Sequence, residues 1–487
     1  MNDDATDQQR RSLALALQHA GLSAGQLWLR YFALGGDAGP IEVDAYVHGL
    51  SSLDPLQRDI LAHAVNERLD ELTWTHRASY TRPFRASEPR SEPLAALVTL
   101  LDGAELAPPD RLPVIAEAAG QALGLTVGIH LIDYAQRCLY PLPATRLHTG
   151  NGKALDVDTT LAGRAFRQVQ MLPADVPGSP RLWVPLVDGA ERLGVLEVGV
   201  ASTDDLYDPG LRTQCRWLAS LLGHVVTAQS QYGDGIDRVR IRDRRTVNGE
   251  LVWSLLPPQT AGVDNFVVTA LLEPGQNVNG DAFDYALSET TADLIVVDAV
   301  GHDLHSGLIA ATALAAYRSA RHSGHRLYEQ ARTIDEAINQ QFGGTAFASA
   351  VLVELDLATG RLRYVNAGHP HPLIMRSGKI VRPLAGGRRQ PLGLGWTDLV
   401  IGEESLQPDD WLVLHTDGIT EARDDTGDFF GDARLADFLR REAAAGHPPP
   451  ETARRLVRAV LTHQHGVLQD DATVLLARWT TPSQIVP

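Results

Sequence analysis

Cysteine is nearly absent from this 487-residue chain: only Cys138 and Cys215 occur, far apart in sequence. Two such thiols imply no disulfide framework, and a reducing, cytoplasmic setting fits them. Long apolar runs are missing too. No stretch approaches the roughly 18 consecutive apolar residues of a spanning helix, and the opening MNDDATDQQRR lacks the apolar core of a secretory signal. Basic residues are outnumbered, 43 Lys and Arg against 60 Asp and Glu, for a formal net charge of −17. That balance argues against general nucleic-acid or anionic-membrane binding, which call for a basic footprint. It also directs attention to the carboxylates, some of which could be metal ligands.

The length allows two or three domains. Residues 1–88 read as helical. Asp54 is placed to cap a helix that begins at Pro55, and Leu56, Ile60, Leu61, Val65, Leu69 and Leu72 follow at helical spacing. No chemical motif occurs there, and the bland reading is a small docking or dimerisation unit. Thr81–Pro93, with three prolines and few apolar residues, reads as a linker.

Residues 94–231 have a mixed pattern. A helix carrying Val114, Ala118 and Leu123 leads to a strand over Val127–Tyr134, and a hairpin is predicted at Asp188-Gly189. A long helix then follows, capped by Asp208 with Pro209 behind it. This order, with LAGRAF at 161–166 and WVPLVDGAERLGVLEV at 183–198, resembles a GAF domain. The resemblance implies an α/β sensor with a pocket between sheet and helices, and a dimerisation module. Its ligand is unknown: no Cys or His is placed for a chromophore or haem, and His130 reads as a packed or surface histidine. Residues 232–256 are expected to form a connector helix. The five arginines from Arg238 to Arg245 mark either a solvated helix face or a helix that passes a signal onward.

After Pro258 the texture changes to short strands, glycine turns and isolated aspartates. VNGDAFD holds Asp281 and Asp284, and DLIVVDAVGHD runs from a buried-type strand into Asp298. DDWLVLHTDGITEAR runs from a strand into Asp417-Gly418, and GVLQDDATVLLAR sets Asp470 and Asp471 just before a strand. Carboxylates at strand ends are held in fixed geometry. Burying several without counter-charge is costly, so a divalent cation, a basic partner or protonation must accompany them. Apart from Arg423, few basic residues adjoin these motifs, which favours a hard cation such as Mg²⁺ or Mn²⁺. Each Asp-Gly alone would read as a simple turn; four such segments together do not.

From SLLPP at 254–258 through VNGDAFD, DAVGHD, NAGHPHPLI, QPLGLG, TDGITEAR and DDAT, residues 250–479 resemble the SpoIIE/RsbU-type branch of the PPM phosphatases. The resemblance implies an α+β multidomain chain ending in a PPM-type αββα sandwich (257–480) with two Mn²⁺ or Mg²⁺ ions. Asp281 and Asp298 would bind metal, with Asp298 bridging, and the backbone carbonyl of Ala299 would add a ligand. Asp417 and Asp470 would complete the ligand set of the second metal, with Asp471 close by; the doublet leaves the register between Asp470 and Asp471 open. No side chain is assigned as catalytic, because the nucleophile is a metal-activated water.

This chain departs from the family pattern at Asn279 and Asp303, where glycines are usual, and Asp303 would alter metal affinity or substrate charge preference. Val300 stands where the eukaryotic branch has its general-acid histidine, leaving that acid unassigned, and His302 reads as a turn residue. His369 and His371 read as structural rather than metal-ligating. The implied function is a protein serine/threonine phosphatase acting on a STAS-type anti-anti-sigma factor. The GAF-like module would gate it as a homodimer through the connector, with no nucleic acid or membrane partner. The competing readings are a sensor scaffold with a weakly active phosphatase-like half, and a two-metal nucleotide hydrolase, which fits the ions but not the motif order.

Overall fold

A computed structural model describes residues 2–71, 91–143, 153–242, 245–275, 280–301, 303–395 and 400–480. The chain divides into two compact units, Met1–Arg90 and Ser91–Pro487. Among the described residues no helix is long and apolar enough to cross a membrane.

The first unit contains α1 (Asn2–Ala20), α2 (Ala24–Ala33), α3 (Pro40–Val47) and α4 (Pro55–Glu71). The predicted cap is present: Asp54 Oδ1 accepts from the amides of Leu56 and Gln57 at 2.9 and 3.2 Å. Leu27, Tyr31, Val43, Leu61, Val65 and Leu69 form its buried core. Most of the predicted Thr81–Pro93 linker lies outside the described residues, and its last two residues, Glu92 and Pro93, already begin a helix.

The second unit holds two modules. In the first, α5 (Glu92–Ala104) and α6 (Leu112–Gln121) precede strands β1 (Thr126–Ile132), β2 (Cys138–Pro141) and β3 (Leu155–Asp156). Helix α7 (Leu161–Gln168) is followed by β4 (Leu172–Ala174), β5 (Arg181–Asp188), β6 (Glu191–Gly199) and the long α8 (Pro209–Gln229). The strands make one antiparallel sheet in the order β3-β2-β1-β6-β5-β4. The expected hairpin joins β5 to β6, with Gly189 at φ 57°, a left-handed value that suits glycine. Asp208 caps α8 on Leu211 N at 2.8 Å. Alternation along the strands builds two cores: Leu131, Val184 and Leu196 face α5, α6 and α8, while Ile132, Trp183 and Val195 meet Phe166 of α7. His130 is packed, 3.0 Å from Glu197 Oε2 and edge-on to Trp183.

The expected single connector helix is replaced by two short helices, α9 (Asp234–Arg240) and α10 (Val247–Trp253). Ile241 is extended after α9, and Thr246 caps α10 by accepting from Gly249 N. The physical reason is packing in opposite directions: Ile236 joins the core of the first module, Val252 that of the C-terminal one. Of the described arginines, Arg238 and Arg242 are exposed, as a solvated face requires, while Arg240 and Arg245 turn inward. Arg240 is buried over the Tyr134 ring with its Nε donating to Ile132 O.

The C-terminal module begins with β7 (Thr260–Val263), β8 (Phe266–Glu273), β9 (Asp281–Leu287) and β10 (Thr291–Ala299). Helices α11 (Leu304–His322) and α12 (Leu327–Phe342) lead to β11 (Ala348–Asp356), β12 (Arg361–Ala367), β13 (Leu373–Arg376), β14 (Lys379–Pro383), β15 (Arg388–Arg389), β16 (Gly402–Ser405) and β17 (Trp411–His415). The short α13 (Asp417–Thr420), α14 (Gly431–Ala444), α15 (Pro449–His463) and β18 (Ala472–Trp479) complete it. One sheet runs β15-β12-β11-β10-β9, with β16 paired to β12; the other runs β14-β13-β17-β18-β8-β7. Phe266, Phe283, Val296, Val353 and Leu475 fill the space between the sheets. Ile309, Tyr317, Leu327 and Ile334 of α11 and α12 cover one outer face; Leu435, Leu439, Leu456 and Val460 of α14 and α15 cover the other. The result is a helix–sheet–sheet–helix sandwich.

The two modules of this unit meet along a polar seam. Thr260 N donates to Glu191 Oε2 at 2.5 Å, Gln136 Nε2 to Gln259 Oε1 at 2.9 Å, and Gln259 Nε2 to Tyr134 O at 3.0 Å. Arg454 of α15 donates to Asp158 Oδ1 at 2.6 Å, and Arg137 pairs with Glu273.

Candidate metal centre

The two sheets bring the sequence-predicted aspartates to one end of the sandwich. Asp281 opens β9 and pairs in register with Asp298 on β10, so both side chains project from the same face. From the other sheet come Asp417, first residue of α13 after β17, and Asp470-Asp471, just ahead of β18. Asp281 and Asp471 are buried, Asp298 and Asp417 half-buried, and Asp470 exposed.

The cluster is electrostatically strained by its own charge. Burial, then the neighbouring Asp417, Asp470 and Asp471, push Asp298 up to about 7. Burial with Asp298 and Asp471 raises Asp281, and burial with Asp470 and Glu421 raises Asp417. The charged neighbours that shift these three groups are all carboxylates. The donor set is therefore all oxygen, mutually repelling and short of positive charge, which fits a hard divalent cation. Among the described residues no three His, Cys, Asp or Glu groups converge on a single ion position as they stand. The least buried of the aspartates are Asp298, Asp417 and Asp470.

The structure separates the aspartate doublet. Asp471 Oδ1 accepts from Gly275 N at 2.8 Å, and its Oδ2 accepts from Gly280 N at 3.1 Å. Its carboxylate is committed to backbone amides and ties Gly275 and Gly280 to the start of β18. Asp470 is exposed, accepts from the Asp471 amide at 2.8 Å, and bears on Asp298 and Asp417. The carbonyl of Ala299 lies against Gly280, where a Cβ would meet it 2.5 Å away, and Ala299 N donates back to Gly280 O at 3.0 Å. Glycine at 280 is what lets that carbonyl approach.

Several supporting residues were missed in the sequence. Thr416 Oγ1 donates to Asp281 Oδ2 at 2.7 Å and accepts from Thr473 N at 3.1 Å, linking the two sheets beneath the cluster. A hydroxyl directly before Asp417-Gly418 was the available signal. Asp284 is not in the cluster: Arg318 and Arg321 of α11 hold it, and Arg318 Nη2 also donates to Leu255 O of the SLLPP motif. Gly418 has no room for a side chain, because a Cβ would collide with the Asp471 carbonyl.

Asp303, expected to act on metal affinity, instead caps α11 by accepting from His305 N and Ser306 N at 2.9 and 3.3 Å. Asn279 and His302 lie outside the described residues. His369 is buried against Ser349 Oγ at 2.6 Å from its Nδ1, and burial, with His415 nearby, drops its pKa to about 3. The Nδ1 of His371 lies 3.1 Å from Leu384 O. Both have structural partners. Val300 is exposed and offers no proton.

Residues 288–480 match the family model described as Stage II sporulation protein E (SpoIIE). Protein IcfG of Synechocystis sp. (strain ATCC 27184 / PCC 6803 / Kazusa) is 23% identical over 272 residues, covering 50% of this chain and 42% of that protein. Phosphoserine phosphatase RsbP of Bacillus subtilis (strain 168) is 25% identical over 165 residues, 32% of this chain and 40% of that protein. The matches thus span under half the length of these curated relatives. Among solved structures, the SiaA-PP2C domain of Pseudomonas aeruginosa shows 28% identity over 44% of this chain and 85% of that one, with a TM-score of 0.40. The phosphatase domain with a regulatory fragment of SpoIIE from Bacillus subtilis shows 18% identity over 45% and 63%, with a TM-score of 0.38.

Proposed function

Since the C-terminal module is a SpoIIE/RsbU-like PPM-type phosphatase domain, we propose that the chain is a metal-dependent protein serine/threonine phosphatase. It removes phosphate from phosphoserine or phosphothreonine of a regulatory partner. The observation that carries this reading is the in-register pair Asp281 and Asp298 on one sheet, facing Asp417 and Asp470 from the other. Asp298, Asp417 and Asp470 hold Mn²⁺ or Mg²⁺, with Asp281 and the Ala299 carbonyl on the β9–β10 side. Thr416 fixes the orientation of Asp281, and Asp471 fixes the backbone from which Asp281 starts. When bound, the two cations would supply a water of lowered pKa and offset charge on the phosphoryl oxygens.

The partner is a STAS-type anti-anti-sigma factor, as the motif resemblance implies, and the likeness to a phosphoserine phosphatase, RsbP, supports phosphoserine as the group removed. The first module of the second unit acts as a GAF-like sensor that gates the phosphatase, as a homodimer. The continuous antiparallel sheet with helices on both faces supports the sensor reading, and the polar seam to the catalytic module supports its coupling to the phosphatase.

The test is Mn²⁺-dependent hydrolysis of p-nitrophenyl phosphate and of a phosphoserine protein. Asp298→Ala and Asp417→Ala should each remove activity by about 10³-fold or more. A purified wild-type chain with no Mn²⁺-dependent hydrolysis of either substrate would sink the enzyme reading and leave a scaffold.

A further inference from the structure

At the seam between the two modules lies a cavity of about 390 Å³, outside the space between the first module's sheet and its helices. That size falls in the range of small-molecule sites, roughly 300–1,000 Å³. Its lining contrasts with a chain of net charge −17: Arg137, Arg240, Arg242 and Arg245 line it against only Asp133 and Glu273. The excess is close to the charge of a phosphate dianion.

The guanidinium groups are laid out on aromatic faces. Arg240 sits 4.1 Å from the Tyr134 ring centroid, and Arg245 lies 4.0 Å from that of Trp253 and 4.9 Å from that of Tyr134. Arg242, which is exposed, stacks at 3.6 Å over Tyr140. Stacking fixes the plane of each guanidinium, so its N–H edge is pre-organised for an oxyanion, and the exposed Arg242, stacked on a single ring, has an outer face that can receive another. Counter-charge lies behind the arginines: Glu250 is 3.5 Å from Arg245, Asp237 also acts on Arg245, Glu191 acts on Arg240, and Glu273 is taken by Arg137, which leaves the exposed Arg242 without a carboxylate among these. From these placements we propose that the cavity binds a small phosphorylated anion that carries a flat ring, a nucleoside phosphate in chemical class.

The cavity's position gives such a ligand a route to the aspartates. One wall is Pro274-Gly275, and the Gly275 amide holds Asp471. Another wall is α10, whose Asn248 Nδ2 donates to Asp303 O at 2.7 Å at the start of α11. Binding itself does not depend on the phosphatase reading and is tested without it.

The experiment is isothermal titration calorimetry on the full chain at low salt, with AMP and inorganic phosphate as probes. EDTA is present so that no divalent cation recruits either probe to the aspartates. AMP should bind with a Kd below about 1 mM, and phosphate at least about tenfold more weakly. Arg242→Ala and Arg245→Gln should each weaken AMP by about tenfold or more, the value of a charge-assisted hydrogen bond. Arg242 is exposed, so that variant keeps the fold if Arg245→Gln does not. No heat with AMP up to about 5 mM, or unchanged affinity in Arg242→Ala, overturns the site. Phosphate binding as tightly as AMP overturns the flat-ring assignment.

Discussion

Replacing Asp284 with alanine tests whether the second aspartate of the VNGDAFD string is a structural clamp. Asp284 is 2% exposed and accepts from Arg318 Nε and Nη2 at 2.9 and 3.1 Å and from Arg321 Nη2 at 2.8 Å. Truncation strands two guanidinium groups, one 31% and the other 13% exposed at the side chain. Breaking a buried pair by removing one partner costs about 3–5 kcal/mol, and partial hydration of Arg318 places this case near the lower figure. For a module of this size, each kcal/mol is worth about 2–4 °C, so the C-terminal melting transition should fall by about 6–12 °C. Differential scanning calorimetry reads it directly. Asp284→Asn should fall between, and adding Arg321→Met to Asp284→Ala should recover part of the loss by removing the more buried stranded cation. A Tm within about 1 °C of wild type would refute the clamp and with it the argument that α11 is anchored to β9 through this triad.

Other consequences concern the cluster and its surroundings. In EDTA, Asp298→Ala should melt no lower than wild type, because it removes like-charge repulsion; excess Mn²⁺ should raise the wild-type Tm and leave the variant unmoved, as thermal-shift assays would show. Asp470→Ala should lose Mn²⁺-dependent activity at unchanged Tm. Asp471→Ala should lose both, by about 2–4 kcal/mol in denaturant titration for the two amide bonds it abandons. The buried His369 stays neutral when folded, with its pKa near 3. As pH falls below the unfolded value of about 6.5 the unfolded chain takes up a proton that the folded chain refuses, and stability declines toward pH 3. His369→Gln should therefore flatten the acid limb of urea-denaturation midpoints between about pH 6 and 4; an unchanged slope would show that this imidazole is not the group responsible. Gly418→Ala should cost about 1–3 kcal/mol through its clash with the Asp471 carbonyl, read as a lower urea midpoint.

The strands that carry the cluster were legible because their apolar runs end abruptly in Asp: Leu294–Val297 into Asp298, and Trp411–Leu414 into Thr416-Asp417. Local caps at Asp54 and Asp208 were legible for the same reason, since their partners lie within three residues. What escaped were relations across the fold. The Thr416–Asp281 bond spans 135 positions and the Arg318–Asp284 pair 34, and neither has a local pattern. Asp470 and Asp471 are identical in sequence and differ only in which amides reach them. The connector misled because its helical residues serve two different cores, so the backbone is extended at Ile241 after α9 and at Thr246 before α10.

The seam has a consequence for how this protein can be cut apart. Strand β7 ends its sheet, and an unpaired edge invites pairing with another chain. Here the amide of Thr260 is taken by Glu191 at the hairpin of the first module, and the preceding Gln259 is bound to Gln136 and to the Tyr134 carbonyl. The first module is thus the cover of that edge. A catalytic fragment beginning near Val247 would expose it, so self-association of the fragment would report a bared strand rather than a native assembly, and rates measured on it would belong to an altered molecule.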